Sequence, residues 1–121
     1  MTGKSGGFTL AAVAVLGLFV AGCGNDRAKT NAELGLNEQQ AAGRAVFDQY
    51  CSACHNAYSA SAKKGPGLKG LFRKKFLPSG LPANDRFVRQ TIGGGRGMMP
   101  EFGGALTQDQ MDELLSYLHT L

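Results

Sequence analysis

Cys51-Ser52-Ala53-Cys54-His55 is the stretch on which the reading of this chain turns. Two thiols lie three positions apart on a helical turn, and an imidazole follows directly. A thioredoxin-like redox pair also uses Cys-x-x-Cys, but it opens a helix that follows a strand. Here the motif follows a helical segment and no βαβ pattern surrounds it. A structural zinc site needs four ligands, and no second Cys pair exists. A disulfide between Cys51 and Cys54 would close a very small loop and leave His55 without a role. Cys-x-x-Cys-His is the attachment signature of c-type haem. In that chemistry each thiol adds across a haem vinyl group to give a thioether. The adjacent His turns its imidazole to the iron as proximal ligand.

The third cysteine lies outside this motif. The chain has 121 residues, 3 Cys, 18 Gly, no Trp and a formal charge of +4. That length gives one domain and excludes a large two-subdomain enzyme. The composition is too apolar for a disordered chain, and three thiols cannot make a disulfide framework. From Phe8 to Val20 the run is uncharged, with Lys4 before it, as in a secretory signal. It is short of the roughly 20 apolar residues that span a bilayer. It ends in Val20-Ala21-Gly22-Cys23, which resembles the lipobox of bacterial lipoproteins. The resemblance implies a signal peptide over residues 1–22 and a diacylglycerol-carrying Cys23 at the start of the mature chain. The competing reading is an ordinary signal peptide cut near Gly22, with Cys23 a bystander. Residues 23–36 then form the lipidated N-terminus and a flexible tether, and residues 37–121 the domain. Gly24 rather than Asp follows Cys23, so the choice of membrane stays open. Loss of Lys4 with the signal lowers the charge from +4 to +3.

Three helices are expected, over about 38–50, 83–92 and 108–120. Asn37 is an N-cap for the first, and Ala42, Val46, Phe47 and Tyr50 form its apolar stripe. Phe87, Val88, Thr91 and Ile92 share one side of the second. Thr107 to Gln110 matches a capping box, and Met111, Leu114, Leu115 and Leu118 recur at helical spacing. No segment alternates with period two, so no strand is expected. A domain this small has a small core, which a bound haem would complete. A sixth iron ligand, where one exists, comes from Met98, Met99, Met111 or His119. Met111 fits a core stripe, and His119 suits the carbonyl end of a helix. Pro100 biases Met99 towards extended backbone, which favours Met99 over Met98. Both methionines as gap-filling core residues is the other possibility.

From Asn37 to Leu121 the chain resembles the small single-haem class I c-type cytochromes. The motifs come in the family's order: Gly43-x-x-x-Phe47, the Cys51–His55 motif, Gly65-Pro66-Gly67-Leu68, Met99-Pro100, then a terminal helix with Leu114 and Tyr117. The resemblance implies an all-α class I cytochrome c fold, three to five short helices and loops wrapped around one haem c attached through Cys51 and Cys54. It implies iron ligation by His55 and Met99, a Pro66 carbonyl that accepts the Nδ1 proton of His55, and Leu68 packed on the haem face. Gly43 and Tyr117 should cross. Gly67 stands where many relatives carry a polar residue, and no Trp is available for a haem propionate. That contact must come from elsewhere, with Arg96 and Tyr58 among the candidates. Leu71–Leu81 has no strong family pattern.

Lys63, Lys64, Lys69, Arg73, Lys74 and Lys75 fall within 13 residues. Export and haem argue against nucleic acid. The run is either a solvated face or a docking surface for an acidic redox partner at the haem edge. Gly93-Gly94-Gly95-Arg96-Gly97 lacks the Gly-Lys-Ser/Thr ending of a phosphate loop and reads as a helix stop with a flexible lead into Met99. The expected function is electron transfer by a monomer on the extracytoplasmic side, anchored to a membrane by lipid on Cys23 and shuttling between redox complexes. Two alternatives stay open: an open sixth site with ligand-binding or peroxidase-like activity, and a fixed electron-entry subunit of a larger oxidoreductase.

Overall fold

The computed structural model describes residues 1–3 and 28–121. The apolar run and Cys23 lie outside the described residues. Helix α1 (Glu38–Tyr50) starts where Asn37 Oδ1 accepts the Gln40 N–H and Gln40 returns its Oε1 to the Asn37 N–H. Helix α2 (Asp85–Gly94) starts two residues later than the sequence suggests, because the Asn84 side chain caps it by accepting the Phe87 N–H. Helix α3 (Gln108–Leu118) opens with the Thr107–Gln110 capping box and ends at Leu118, with His119 as its cap. A single 3-10 turn covers Leu71–Arg73. Among the described residues there are no strands, only isolated bridges between Phe76 and Pro82 and between Arg96 and Met99. None of their helices is long and apolar enough to cross a membrane.

Helices α1 and α3 make the main contact. A Cβ on Gly43 would sit 1.9 Å from the Glu113 carbonyl oxygen and 2.9 Å from the Tyr117 Cβ. Only a residue without a side chain lets the two backbones approach that closely. Around the crossing, Val46, Phe47, Met111, Leu114, Leu115, Tyr117 and Leu118 are buried. The Tyr117 ring lies 5.6 Å from that of Phe47, and its hydroxyl donates to the Tyr58 hydroxyl at 2.8 Å. Burial and that bond both push the Tyr117 hydroxyl pKa up, burial more strongly.

Helix α2 buries Val88 and Ile92 and is tied to α3 at two surface points. Arg89 pairs with Asp112, and His119 Nε2 meets Asp85 at 2.6 Å while its ring stacks on Phe72 at 3.8 Å. The Arg73 guanidinium and the Gly70 N–H both donate to the Leu121 oxygen, which ties the 3-10 turn to the end of α3. Residues 30–36, expected as tether, make an ordered turn. Leu36 packs on the core and Asn31 accepts from Arg44 at 2.8 Å.

Replacing Gly43 by Ala should destabilise the domain by about 1–3 kcal/mol, the cost of overpacking a tight contact. Denaturant unfolding checks this: the midpoint should fall with an unchanged slope. An unchanged midpoint would mean that the helices separate at no cost.

Candidate cofactor site

The motif continues out of α1 in two overlapping turns. The Cys51 N–H and the Ser52 N–H both reach the Phe47 carbonyl, and those of Cys54 and His55 both reach the Cys51 carbonyl. This brings Cys51, Cys54 and His55 to one wall of a cavity of about 380 Å³. The two cysteines form no disulfide with each other. Burial, reinforced by Cys54, pushes the Cys51 thiol pKa up to about 11, so it is protonated at neutral pH.

His55 is fixed by the loop that follows. The Gly65 N–H donates to the Cys54 carbonyl and the Leu68 N–H to the Asn56 carbonyl, each at 2.8 Å. The Pro66 carbonyl oxygen lies 2.9 Å from His55 Nδ1. A carbonyl only accepts, so Nδ1 is the donor of this bond.

Met99 lies on the same cavity. The lead into it is a closed turn, where the glycine run suggests flexibility. The Arg96 N–H donates to the Met99 carbonyl at 3.0 Å, and the Met99 N–H to the Arg96 carbonyl at 2.9 Å. Two further bonds close the loop base, from the Phe102 N–H to Ile92 and from the Gly103 N–H to Gly93, each at 3.0 Å. Gly95 allows the turn, with φ of +69° and no room for a Cβ, which would lie 2.7 Å from the Met99 oxygen. Met99 is half-buried against the core, whereas Met98 is 87% exposed at the rim. Met111 is a core residue of α3. His119 is held by Asp85 and Phe72 and does not line the cavity. Tyr58 is likewise elsewhere, bonded to Tyr117, while Arg96 is on the wall.

The cavity is cut into the core itself. Phe47, Leu71, Leu77, Val88, Ile92, Leu114 and Leu118 are both core and wall. The wall is apolar and carries two thiols, His55 and Met99, a set that fits a large apolar ring with a metal at its centre. Among the described residues no group of three or more His, Cys, Asp or Glu could hold a metal ion unaided. The residues sequence reasoning missed are Thr91 as wall, Phe102, and the tip of the hairpin over residues 76–82. The Leu77 N–H donates to the Leu81 carbonyl there, placing Leu77, Pro78 and Ser79 on the cavity. The Pro78-Ser79-Gly80 turn was the available signal.

The family described as cytochrome c oxidase, cbb3-type, subunit III matches residues 38–118. A cbb3-type cytochrome c oxidase subunit CcoP from Azospirillum sp. (strain B510) is 34% identical over 97 residues, covering 71% of this chain. The chain spans only 32% of that relative's length. Cytochrome c6 from Leptolyngbya boryana is 32% identical over 64% of this chain and 87% of its own. Cytochrome c6 from Diacronema lutheri is 30% identical over 63% of this chain and 88% of its own. No solved structure matches the chain significantly. With the match running from the first residue of α1 to the last of α3, the chain belongs to this family and is a small class I c-type cytochrome, carrying covalent haem c for electron transfer.

Proposed function

We propose that Cys51 and Cys54 hold the haem by thioether bonds, that His55 is its proximal ligand, and that Met99 is its sixth. One observation carries this reading: a single apolar cavity is lined by both thiols, His55 and Met99. With Nδ1 committed to Pro66, His55 has Nε2 available for iron, and the hydrogen bond makes it more basic. The bound haem supplies a one-electron Fe(II)/Fe(III) couple. Leu68, Phe102 and the core side chains exclude water, which disfavours the extra charge of the oxidised state and raises the potential. The paired backbone bonds between Arg96 and Met99 keep the thioether in one place in both states.

The chain acts as an electron carrier on the extracytoplasmic side, held to a membrane by lipid on Cys23, and the exposed lysines around the 63–75 loop steer an acidic redox partner. The c6 relatives, whose length the chain covers almost fully, favour a free carrier. The CcoP relative favours a second reading, a fixed electron-entry domain of an oxidase complex. Native electrophoresis of membranes separates the two: a carrier migrates alone, a subunit with oxidase activity.

Met99→Ala should abolish the methionine-to-iron charge-transfer band of the oxidised protein and open the iron to carbon monoxide. Loss of the band in Met98→Ala, with retention in Met99→Ala, would move the ligand to Met98. A wild-type protein without the band that binds carbon monoxide readily would support the open-site alternative instead. Cys23→Ser should release the protein from membranes into the soluble fraction, and firm attachment of the variant would refute the lipid anchor. The bimolecular electron-transfer rate should fall as ionic strength rises; a flat profile would make the lysine run a plain solvated face.

A further inference from the structure

We infer that Arg96 binds the propionate carboxylates of the haem, fixing the ring's orientation and raising its reduction potential; this rests on the haem reading above. Haem carries two carboxylates into an otherwise apolar site, and a carboxylate placed there without a partner is strongly unfavourable. Among the described residues no Asp or Glu lines the cavity, and two side chains with a fixed positive charge do, Lys64 and Arg96. Other basic side chains are engaged elsewhere: Arg44 with Asn31, Arg89 with Asp112, Arg73 with Leu121 and Lys63 with the Ser52 carbonyl. Among the described residues, the side chains of Lys64 and Arg96 make no hydrogen bond or ion pair.

The hydroxyl donors narrow the choice. Tyr58, which accepts from Tyr117, does not line the cavity, and Thr91 spends its proton on the Phe87 carbonyl. Ser79 remains on the wall as a secondary donor. Between the two cations, Arg96 is the better placed. Its own N–H and C=O are both bonded to Met99, so its Cα is fixed relative to the group proposed to face the iron. Its planar fork matches a carboxylate at two points, whereas a lysine offers a hydrated point charge on a flexible stem. One four-residue turn thus fixes the distance between the sixth ligand and the anionic edge. An arginine on a rim is usually a solvated charge; the backbone clasp to Met99 is what distinguishes this one.

Redox titration of the intact holoprotein tests the assignment, together with redox-induced infrared difference spectra of haem isotopically labelled at its propionate carboxyl carbons. Arg96→Gln leaves the carboxylate charge uncompensated, which favours Fe(III). The equilibrium should shift about tenfold towards Fe(III), ~59 mV lower for one electron. Arg96 is exposed, so the shift should shrink without vanishing as ionic strength rises. The labelled carboxylate bands should move, and Arg96→Lys should restore part of both effects. Lys64→Gln should give a smaller change that salt removes. Potentials and bands unaltered in Arg96→Gln would overturn the proposal, as would bands that move only in Lys64→Gln. Retention of the methionine band in the variants shows that ligation is intact. Its absence from the wild type would refute the Met99 reading alone and leave the infrared result valid for Arg96.

Discussion

The close crossing of α1 and α3 at Gly43 is the constraint on which the remaining geometry depends. It sets where the end of α1 points, and the two turns that follow carry Cys51, Cys54 and His55 from there. It also sets where Leu114 and Leu118 stand, and these line the same cavity. The energetic logic is unusual for a domain of this size. The centre of its core is reserved for a cofactor, so burial by the protein's own side chains is only part of its stability.

The two walls are held by different means. On the histidine side, the loop over residues 65–68 is pinned to the motif by backbone bonds, and the Pro66 carbonyl sets the imidazole tautomer. On the methionine side, a loop of high glycine content is closed by two pairs of backbone bonds. Glycine there permits tight backbone geometry and does not confer mobility. The general lesson is that a glycine run has two readings, and the partner of each N–H decides between them.

What was legible in the sequence was local or carried by spacing. Asn37 and Thr107 are caps because their side chains reach backbone three residues on. The α3 stripe is visible because burial follows helical period. The motif is visible because its chemistry needs three side chains within five positions. Less legible was anything decided by distant pairs. The hairpin over residues 76–82 becomes a cavity wall through contacts that no periodicity announces. Tyr58 looks like a free surface hydroxyl until Tyr117, 59 positions away, claims it. The two-residue delay of α2 reflects a choice between Pro82 as a start signal and Asn84 as a cap, which the side-chain bond settles.

The crossing also bears on the order of assembly. Gly43 and Tyr117 are 74 positions apart, so the contact closes only once almost the whole domain has been made. Cys51, Cys54 and His55 all precede α3 in the chain. A contact between positions so far apart carries a large loop-closure entropy. The motif is therefore complete in the chain before the contact that sets its position can close.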